Sequence, residues 1–105
     1  MKIAIITACS TGIASTYMSA EALEIAAKKK GHQVFVETQG TLGIENEISK
    51  TDARSVDAVI FAADVVIAKK ERFAGKPIFE FGVSEAISKA DKIILIVEEK
   101  MKPGQ

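Results

Sequence analysis

The chain has little cysteine, no net charge and no long apolar run. Its 105 residues include one cysteine, and 14 Lys plus Arg balance 14 Asp plus Glu. One cysteine excludes an internal disulfide and fits a reducing compartment, and charge balance removes the main electrostatic argument for nucleic acid or an anionic membrane as partner. The longest apolar runs, residues 58–63 and 93–97, are too short to span a bilayer. We expect a single cytoplasmic domain over residues 1–105, with no signal peptide and no membrane segment of its own.

Hydrophobic periodicity predicts strands that alternate with helices. The strands are predicted at residues 2–8, 33–38, 58–63 and 78–81. The helices are predicted at residues 14–30, 44–48, 83–89 and 91–101, with a turn or a second short helix at 51–56 and a helical turn at 69–73. Residues 93–97 are β-branched enough for a strand, but the flanking charges favour a helix. In the first helix, the apolar stripe is formed by Met18, Ala22, Ile25 and Ala26.

This order of elements predicts an α/β fold: an open four-stranded parallel sheet, strand order 2-1-3-4, with helices on both faces, as in Rossmann-like proteins. In such sheets, ligands bind at the carboxyl ends of the strands where the winding reverses. Cys9 follows the first strand, Gln39 and Gly40 follow the second, and Asp64 follows the third. The topology therefore predicts that these residues meet at one edge.

Cys9 lies in a short loop between a strand and a helix. Unpaired N–H groups and the positive end of the helix dipole favour a thiolate there, and the same donors can hold a phosphate. The alternative is a small buried hydrophobe at a strand end. Thr11, Ser15 and Thr16 could cap the helix, contact a phosphate or do both.

Several other cysteine and glycine chemistries lack their partner residues. A cysteine phosphatase needs Cys-x5-Arg, but the corresponding position is Ser15. Cys-x-x-Cys is absent, and the turn has only Gly12, not the pattern of a dinucleotide site. His32 lies at the far end of the helix from Cys9, so we expect no metal site and no cofactor. The loop is better suited to carrying a phosphate than to hydrolysing it.

Five segments follow one another in a distinctive order: residues 8–16 (ACSTGIAST), 36–40 (VETQG), 43–46 (GIEN), 62–64 (AAD) and 70–77 (KERFAGKP). Together they resemble the fructose-specific IIB component of the bacterial phosphoenolpyruvate-dependent sugar phosphotransferase system. The family usually has proline and histidine where this chain has Ser10 and Ser15. The similarity extends over the chain to about residue 90.

The resemblance implies an enzyme that works with two partners. Cys9 would take a phosphoryl group from a phosphohistidine of a IIA partner and give it to a fructose-type sugar bound by a membrane IIC partner, to which the protein would be recruited. The implied phosphate-binding loop contains Ser10, Thr11, Gly12, Ile13, Ala14, Ser15 and Thr16. Gln39, Gly40 and Asp64 are candidate rim or partner contacts, or simply turn and loop residues. The alternative function is a regulatory module that senses a phosphoryl group or anion without passing it on.

Other conspicuous side chains receive ordinary structural interpretations. We expect Arg72 and His32 at the surface and Phe73 and Phe79 in the core. Tyr17 and Met18 could contact a partner around the cysteine, although Met18 also fits the predicted core stripe.

Overall fold

Five strands and four α-helices make up the described part of the chain. The computed structural model describes residues 1–10 and 13–102, with only the backbone of Ile13. The strands are β1 (Lys2–Ala8), β2 (Gln33–Gly40), β3 (Gly43–Glu45), β4 (Ala58–Ala63) and β5 (Ile78–Phe81). The helices are α1 (Ile13–Lys29), α2 (Lys50–Ser55), α3 (Val83–Ser88) and α4 (Ala90–Lys100), and Lys70–Phe73 form a 3₁₀ helix.

The strands form one sheet in the order β3-β2-β1-β4-β5. β1 pairs in parallel with β2 and β4, β4 pairs in parallel with β5, and only β3 is antiparallel to its neighbour. The four parallel strands have the predicted order, and the Rossmann-like α/β class is confirmed. The expected number of four strands was wrong, because β3 adds a fifth.

The register of the sheet places the functional loops together. Ala8 at the end of β1 pairs with Gln39 of β2 on one side and with Ala63 of β4 on the other. The next residues along the chain in each case, Cys9, Gly40 and Asp64, therefore lie at the same edge of the sheet.

Alternating side chains of the strands build one apolar layer on each face of the sheet. The first layer, under α1, α3 and α4, includes Ile3, Ile5, Leu23, Ile60, Ile93, Ile94 and Val97. The second, under α2 and the 3₁₀ helix, includes Ala4, Ile6, Ile48, Val59, Phe61, Ile67 and Phe73. Each fully buried large apolar side chain contributes about 1.5–3 kcal/mol, so both layers stabilise the sheet. Phe73 lies in the core as predicted, and Phe79 packs half-buried against the first layer.

The helix predicted at residues 44–48 is not formed. Residues 43–45 are β3 instead, and Ile44 pairs with Gln39. Gly40 and Gly43 face each other across a two-residue turn, and Gly43 has a φ of 93°, a conformation that glycine adopts without steric cost. The turn therefore returns the chain along β2 before a helix can begin.

The buried face of α1 differs from the predicted stripe. Met18 and Ile25 are 55% and 53% exposed, whereas Leu23 is fully buried. The rest of the buried face consists of small or polar residues, namely Thr16, Ser19, Ala20, Ala26 and Ala27. Small side chains let the helix backbone approach the sheet closely. The helix therefore buries the face that carries small residues, although the adjacent face with Met18 and Ile25 has larger apolar side chains.

The ambiguous segment near the end of the chain is a helix, as predicted. α4 buries Ile93, Ile94 and Val97 against the sheet and leaves Leu95 exposed. This spacing of three and four residues belongs to one helix face, because a strand would bury alternate residues instead.

Candidate functional site

Cys9 lies directly after β1, at the carboxyl edge of the sheet. Its side chain is 7% exposed and opens onto a depression of about 260 Å³. The other residues that line the depression are Ala8, Ser10, Gln39, Gly40, Thr41, Val65 and Val66. The thiol is therefore close to solvent rather than sealed in the core, and the predicted meeting of the loops after β1, β2 and β4 is found.

The predicted phosphate-binding loop is only partly described. Thr11, Gly12 and the side chain of Ile13 lie outside the described residues. Ser10 is exposed beside Cys9, and α1 begins at Ile13. Ala14 is exposed, Ser15 is half-buried and Thr16 is buried within the first turns of α1. Thr16 is thus integrated into the helix packing, and its carbonyl oxygen accepts hydrogen bonds from the hydroxyls of Thr7 and Ser19.

The amino end of α1 provides a positive local field at the site. The helix has 17 residues, and its first turn contains no acidic side chain. Aligned peptide dipoles leave partial positive charge at a helix N-terminus, and carboxylates in the first turn would offset it. The helix end therefore contributes a field that suits an anion.

Asp64 approaches the cysteine from the loop after β4. The thiol donates to Oδ2 of Asp64 across a sulfur–oxygen distance of 3.7 Å, and the Asp64 N–H donates to the carbonyl of Ala8 at 3.0 Å. The expected role as a loop hydrogen-bonder is thus accompanied by a contact with the thiol. Asp64 is therefore a carboxylate neighbour of the reactive sulfur.

A buried ion pair lies behind this edge of the sheet. Glu37 of β2 is 0% exposed, and the side chain of Arg72 is 4% exposed. The two side chains form a bidentate pair, with Nη1–Oε1 at 2.7 Å and Nη2–Oε2 at 3.0 Å. The predicted surface location of Arg72 was wrong, because the buried carboxylate of Glu37 draws the guanidinium inward.

Further hydrogen bonds complete the solvation of this pair. The N–H of Ile48 donates to Oε1 of Glu37 at 2.8 Å, and Nε2 of Gln39 donates to Oε2 at 2.7 Å. Arg72 also donates to the carbonyls of Ile48 and Lys69, each at 2.7 Å. A buried charge is stable only when it is paired and hydrogen-bonded in this way.

The network keeps Glu37 ionised. Burial acts to raise the pKa of Glu37, but hydrogen bonds from Arg72, Gln39 and the Ile48 N–H, together with the charge of Arg72, outweigh it and hold the pKa below the ordinary 4.5. The hydrogen bond to Glu37 in turn raises the pKa of Arg72. Both groups are therefore charged at neutral pH.

Gln39 connects the ion pair to the cysteine loop region. Its side chain is buried, its Oε1 accepts from the N–H of Ala68 at 2.8 Å, and its Nε2 donates to the Ala68 carbonyl at 3.1 Å. The interpretation of Gln39 and Gly40 as a plain turn was wrong, since both belong to β2. A sequence signal for this was available. Glu37 and Gln39 alternate with Phe35 along the strand, so they lie on the same strand face as this apolar residue.

His32 lies at the opposite end of β2, away from the cysteine. It is half-buried rather than at the open surface, with Nε2 2.7 Å from Oε2 of Glu98 and Nδ1 3.1 Å from the amine of Met1. In the described ranges, no three His, Cys, Asp or Glu side chains gather as a metal site would require. Across residues 1–10 and 13–102, no helix has the length and apolarity needed to cross a bilayer.

Tyr17 and Glu45 connect α1 to β3 beside the cysteine depression. The hydroxyl of Tyr17 donates to Oε1 of Glu45, and this hydrogen bond, followed by burial and the charge of Glu45, raises the pKa of Tyr17. Tyr17 and Met18 are both exposed, so the prediction that Met18 belongs to the core stripe was wrong.

Comparisons with known proteins agree with this geometry. The model of the family described as "PTS system, Lactose/Cellobiose specific IIB subunit" matches residues 4–95. The chain is 52% identical over 97 residues to the "PTS system fructose-like EIIB component 2" of Escherichia coli (strain K12), covering 92% of each protein. It is 43% identical over 95 residues to the "Fructose-like PTS system EIIBC component" of the same strain, covering 89% of this chain and 20% of that protein.

A solved structure has the same fold. The crystal structure of "Predicted Fructose Specific IIB from Escherichia Coli" superposes with a TM-score of 0.91 at 30% identity, covering 99% of this chain and 92% of that one. The resemblance inferred from the cysteine loop and the downstream segments is thereby confirmed. The protein belongs to the IIB subunit family of the PTS system, whose members act in sugar phosphotransfer.

Proposed function

We propose that the protein is a phosphocysteine carrier. Cys9 accepts a phosphoryl group from a phosphohistidine of a IIA partner and transfers it to a fructose-type sugar bound by a membrane IIC partner. The observation that carries this proposal is the position of the thiol, in an open depression and four residues before the start of a 17-residue helix whose first turn has no acidic residue. Membership in the IIB family supports the same reaction class.

In the first step, the sulfur of Cys9 attacks the phosphorus in line with the nitrogen of the phosphohistidine. The S–P bond forms as the N–P bond breaks, and the electron pair of that bond remains on the imidazole. The thiol proton leaves the sulfur, and the carboxylate of Asp64 is in hydrogen-bond contact to receive it. The amino end of α1 stabilises the charge on the phosphoryl oxygens, so positioning and field supply most of the catalysis.

In the second step, a sugar hydroxyl oxygen attacks the phosphorus and the S–P bond breaks. The electron pair stays on the sulfur as a thiolate, and the hydroxyl proton passes to water, as does the proton that Asp64 took in the first step. Asp64 favours this direction, because a carboxylate beside a phosphorylated Cys9 repels the phosphate and raises its transfer potential. The contact between Asp64 and Cys9 therefore assists removal of the thiol proton in the first step and departure of the phosphoryl group in the second.

Exposed apolar residues around the depression support docking of the protein partners. Val66 on one side is 82% exposed, and Leu42 and Tyr17 on the other side are also exposed. A donor histidine reaches the sulfur only if its own surface covers this rim, and exposed apolar side chains at such a place typify interaction sites. The match to one segment of an EIIBC protein supports a IIC partner, and we infer that the protein works in the cytoplasm at the membrane.

The experiment is a two-stage transfer assay. The protein is incubated with a phosphorylated IIA partner, and its intact mass is followed with time; we expect the gain of one phosphoryl group. Membranes that contain the matching IIC protein and a fructose-type sugar are then added, and the phosphoryl group should move to the sugar. Cys9→Ser is the matched control, and Ser10→Ala tests whether the neighbouring hydroxyl is an alternative acceptor.

The possible outcomes separate the candidate functions. A Cys9→Ser protein that gains the phosphoryl group at the wild-type rate would refute the role of the cysteine. Labelling of Cys9 without delivery to any sugar would instead favour a module that senses phosphorylation. Prior alkylation of the single thiol should abolish labelling, which gives a control without a substitution.

A further inference from the structure

We propose that Gln39 is a positioning residue that fixes the segment of residues 64–68 beside Cys9, and that the Glu37–Arg72 ion pair sets the orientation of its amide. We refer to residues 64–68 as the flanking segment. The effect on phosphoryl transfer rests on the proposed function, whereas the effect on thiol reactivity does not.

The flanking segment is tied to the sheet at both of its ends. At the first end, the Asp64 N–H donates to the carbonyl of Ala8 at 3.0 Å. At the second end, the side chain of Gln39 makes two hydrogen bonds to the backbone of Ala68, at 2.8 Å and 3.1 Å. Val65 and Val66, between the two ties, line the cysteine depression. The position of this wall relative to the sulfur therefore depends on Gln39.

Gln39 can make both bonds to Ala68 only with one orientation of its amide group. Oε2 of Glu37 accepts from Nε2 of Gln39 at 2.7 Å. An ionised carboxylate accepts hydrogen bonds but donates none, so the amide nitrogen must face Glu37 and Oε1 is left to accept from the Ala68 N–H. Arg72 holds that carboxylate in place with two hydrogen bonds. The ion pair thus acts on the cysteine site through Gln39.

The flanking segment also carries a carboxylate beside the sulfur. Asp64 contacts Sγ at 3.7 Å, and the described residues that line the depression include no titratable side chain besides Cys9. Asp64 can accept the thiol proton during phosphoryl transfer, but in the resting protein its negative charge disfavours a free thiolate. Without the two bonds to Ala68, the Asp64 backbone bond to Ala8 is the remaining tie described for the segment. The Asp64 carboxylate should then spend less time beside the sulfur, so that Cys9 reacts as a thiolate at lower pH.

The first experiment measures the alkylation rate of Cys9 by iodoacetamide as a function of pH. Gln39→Met keeps the length of the side chain and removes the hydrogen bonds. We expect the pH midpoint of alkylation to fall and the rate below the midpoint to rise by about fivefold, the effect of one unit charge about 4 Å away in a largely aqueous setting. Gln33→Met is the matched control, because Gln33 is exposed at the other end of the same strand; it should leave the profile unchanged.

A double-substitution cycle tests whether Gln39 acts through Asp64. Asp64→Asn should lower the midpoint by a similar amount, and Gln39→Met should then shift it little further. A Gln39→Met protein with a wild-type midpoint and rate, or shifts that add fully in the double variant, would overturn the proposal. Arg72→Lys, which retains the cation and loses the bidentate geometry, should give an intermediate shift and serves if Gln39→Met folds poorly.

Phosphoryl transfer provides the functional readout. In Gln39→Met we expect a several-fold slower transfer from the IIA donor at saturating concentration, because the wall beside the sulfur is no longer fixed. If the wild type is never phosphorylated, the proposed function fails while the alkylation result still decides the role of Gln39. If transfer and alkylation in Gln39→Met both match the wild type, the positioning role is excluded.

Discussion

Glu37 and Arg72 show how one buried charge can determine the position of another. Arg72→Met would leave the Glu37 carboxylate buried without its cation, so we expect a loss of about 3–5 kcal/mol in the free energy of unfolding. Arg54→Met is the control, because Arg54 is exposed; its cost should stay within about 0.5 kcal/mol. Urea denaturation of both variants measures the difference, and similar losses would contradict the structural role of the pair.

The same pair predicts a pH dependence of stability. The pKa of Glu37 is lowered in the folded state, so its contribution is fully present above the ordinary value of 4.5 and is lost as the pH falls through the lower folded value. Glu37→Gln should therefore have a flatter stability profile than the wild type below about pH 4.5. Thermal unfolding between neutral pH and pH 3 checks this, and parallel profiles would argue against an ionised Glu37.

At the scale of single residues, the sequence predicted the position of Cys9 at the sheet edge but not the ion pair. A lone thiol between a strand and a helix is a local pattern, and its environment follows from neighbouring residues. The partner of Glu37 lies 35 positions further along the chain and contacts it only after the sheet and the 3₁₀ helix have formed. Local periodicity cannot indicate such a contact, and an arginine that follows three other charged residues is expected to lie at the protein surface.

α1 illustrates the difference between apolar composition and burial. Leu23 is fully buried and Met18 is 55% exposed, although both are large apolar residues of one helix. We expect Leu23→Ala to cost about 2–5 kcal/mol and Met18→Ala less than about 0.5 kcal/mol. Chemical denaturation of the two variants measures these costs. Equal losses would contradict the exposure of Met18 and support the buried helix face that periodicity predicted.

β3 illustrates how a turn can override a helical pattern. Gly43 has a φ of 93°, and a methyl group there would meet no atom within 4 Å. Gly43→Ala should therefore lose about 1–2 kcal/mol through backbone strain alone. Gly40→Ala, where the space is also open and the φ is not positive, should be neutral or slightly stabilising. Thermal melting of both variants compares the two glycines, and a neutral Gly43→Ala would remove strain as the cause.

Most of the elements were predictable because their signals are local or topological. The continuous apolar runs identified β1 and β4, and crossover rules gave the order of the parallel strands. The spacing of Ile44 and Ile48 also fits a helix face, and the sequence contains no signal strong enough to exclude it. Pairing with β2 decides the outcome, and this pairing appears only when the sheet is assembled.

A stabilising contact and the candidate site lie at opposite ends of β2. His32 at the amino end contacts Glu98, whereas Gln39 lies at the carboxyl end near Cys9. We expect His32→Ala to lower the free energy of unfolding by about 1–3 kcal/mol and to leave the alkylation rate of Cys9 unchanged. In the double variant with Gln39→Met, the two losses should add within about 0.5 kcal/mol. Strong non-additivity in denaturation would show that the two ends are coupled.

The shortness of β3 has a consequence for self-association. It pairs only with Thr38, Gln39 and Gly40, and no other described strand lies on the outer side of β2 along residues 33–37. Backbone N–H and C=O groups on such an open border can hydrogen-bond to an extended segment of another molecule. In concentrated solution, this border and the outer side of β5 are therefore the two places along the described strands where intermolecular strand pairing can begin, and a longer β3 would protect the first of them.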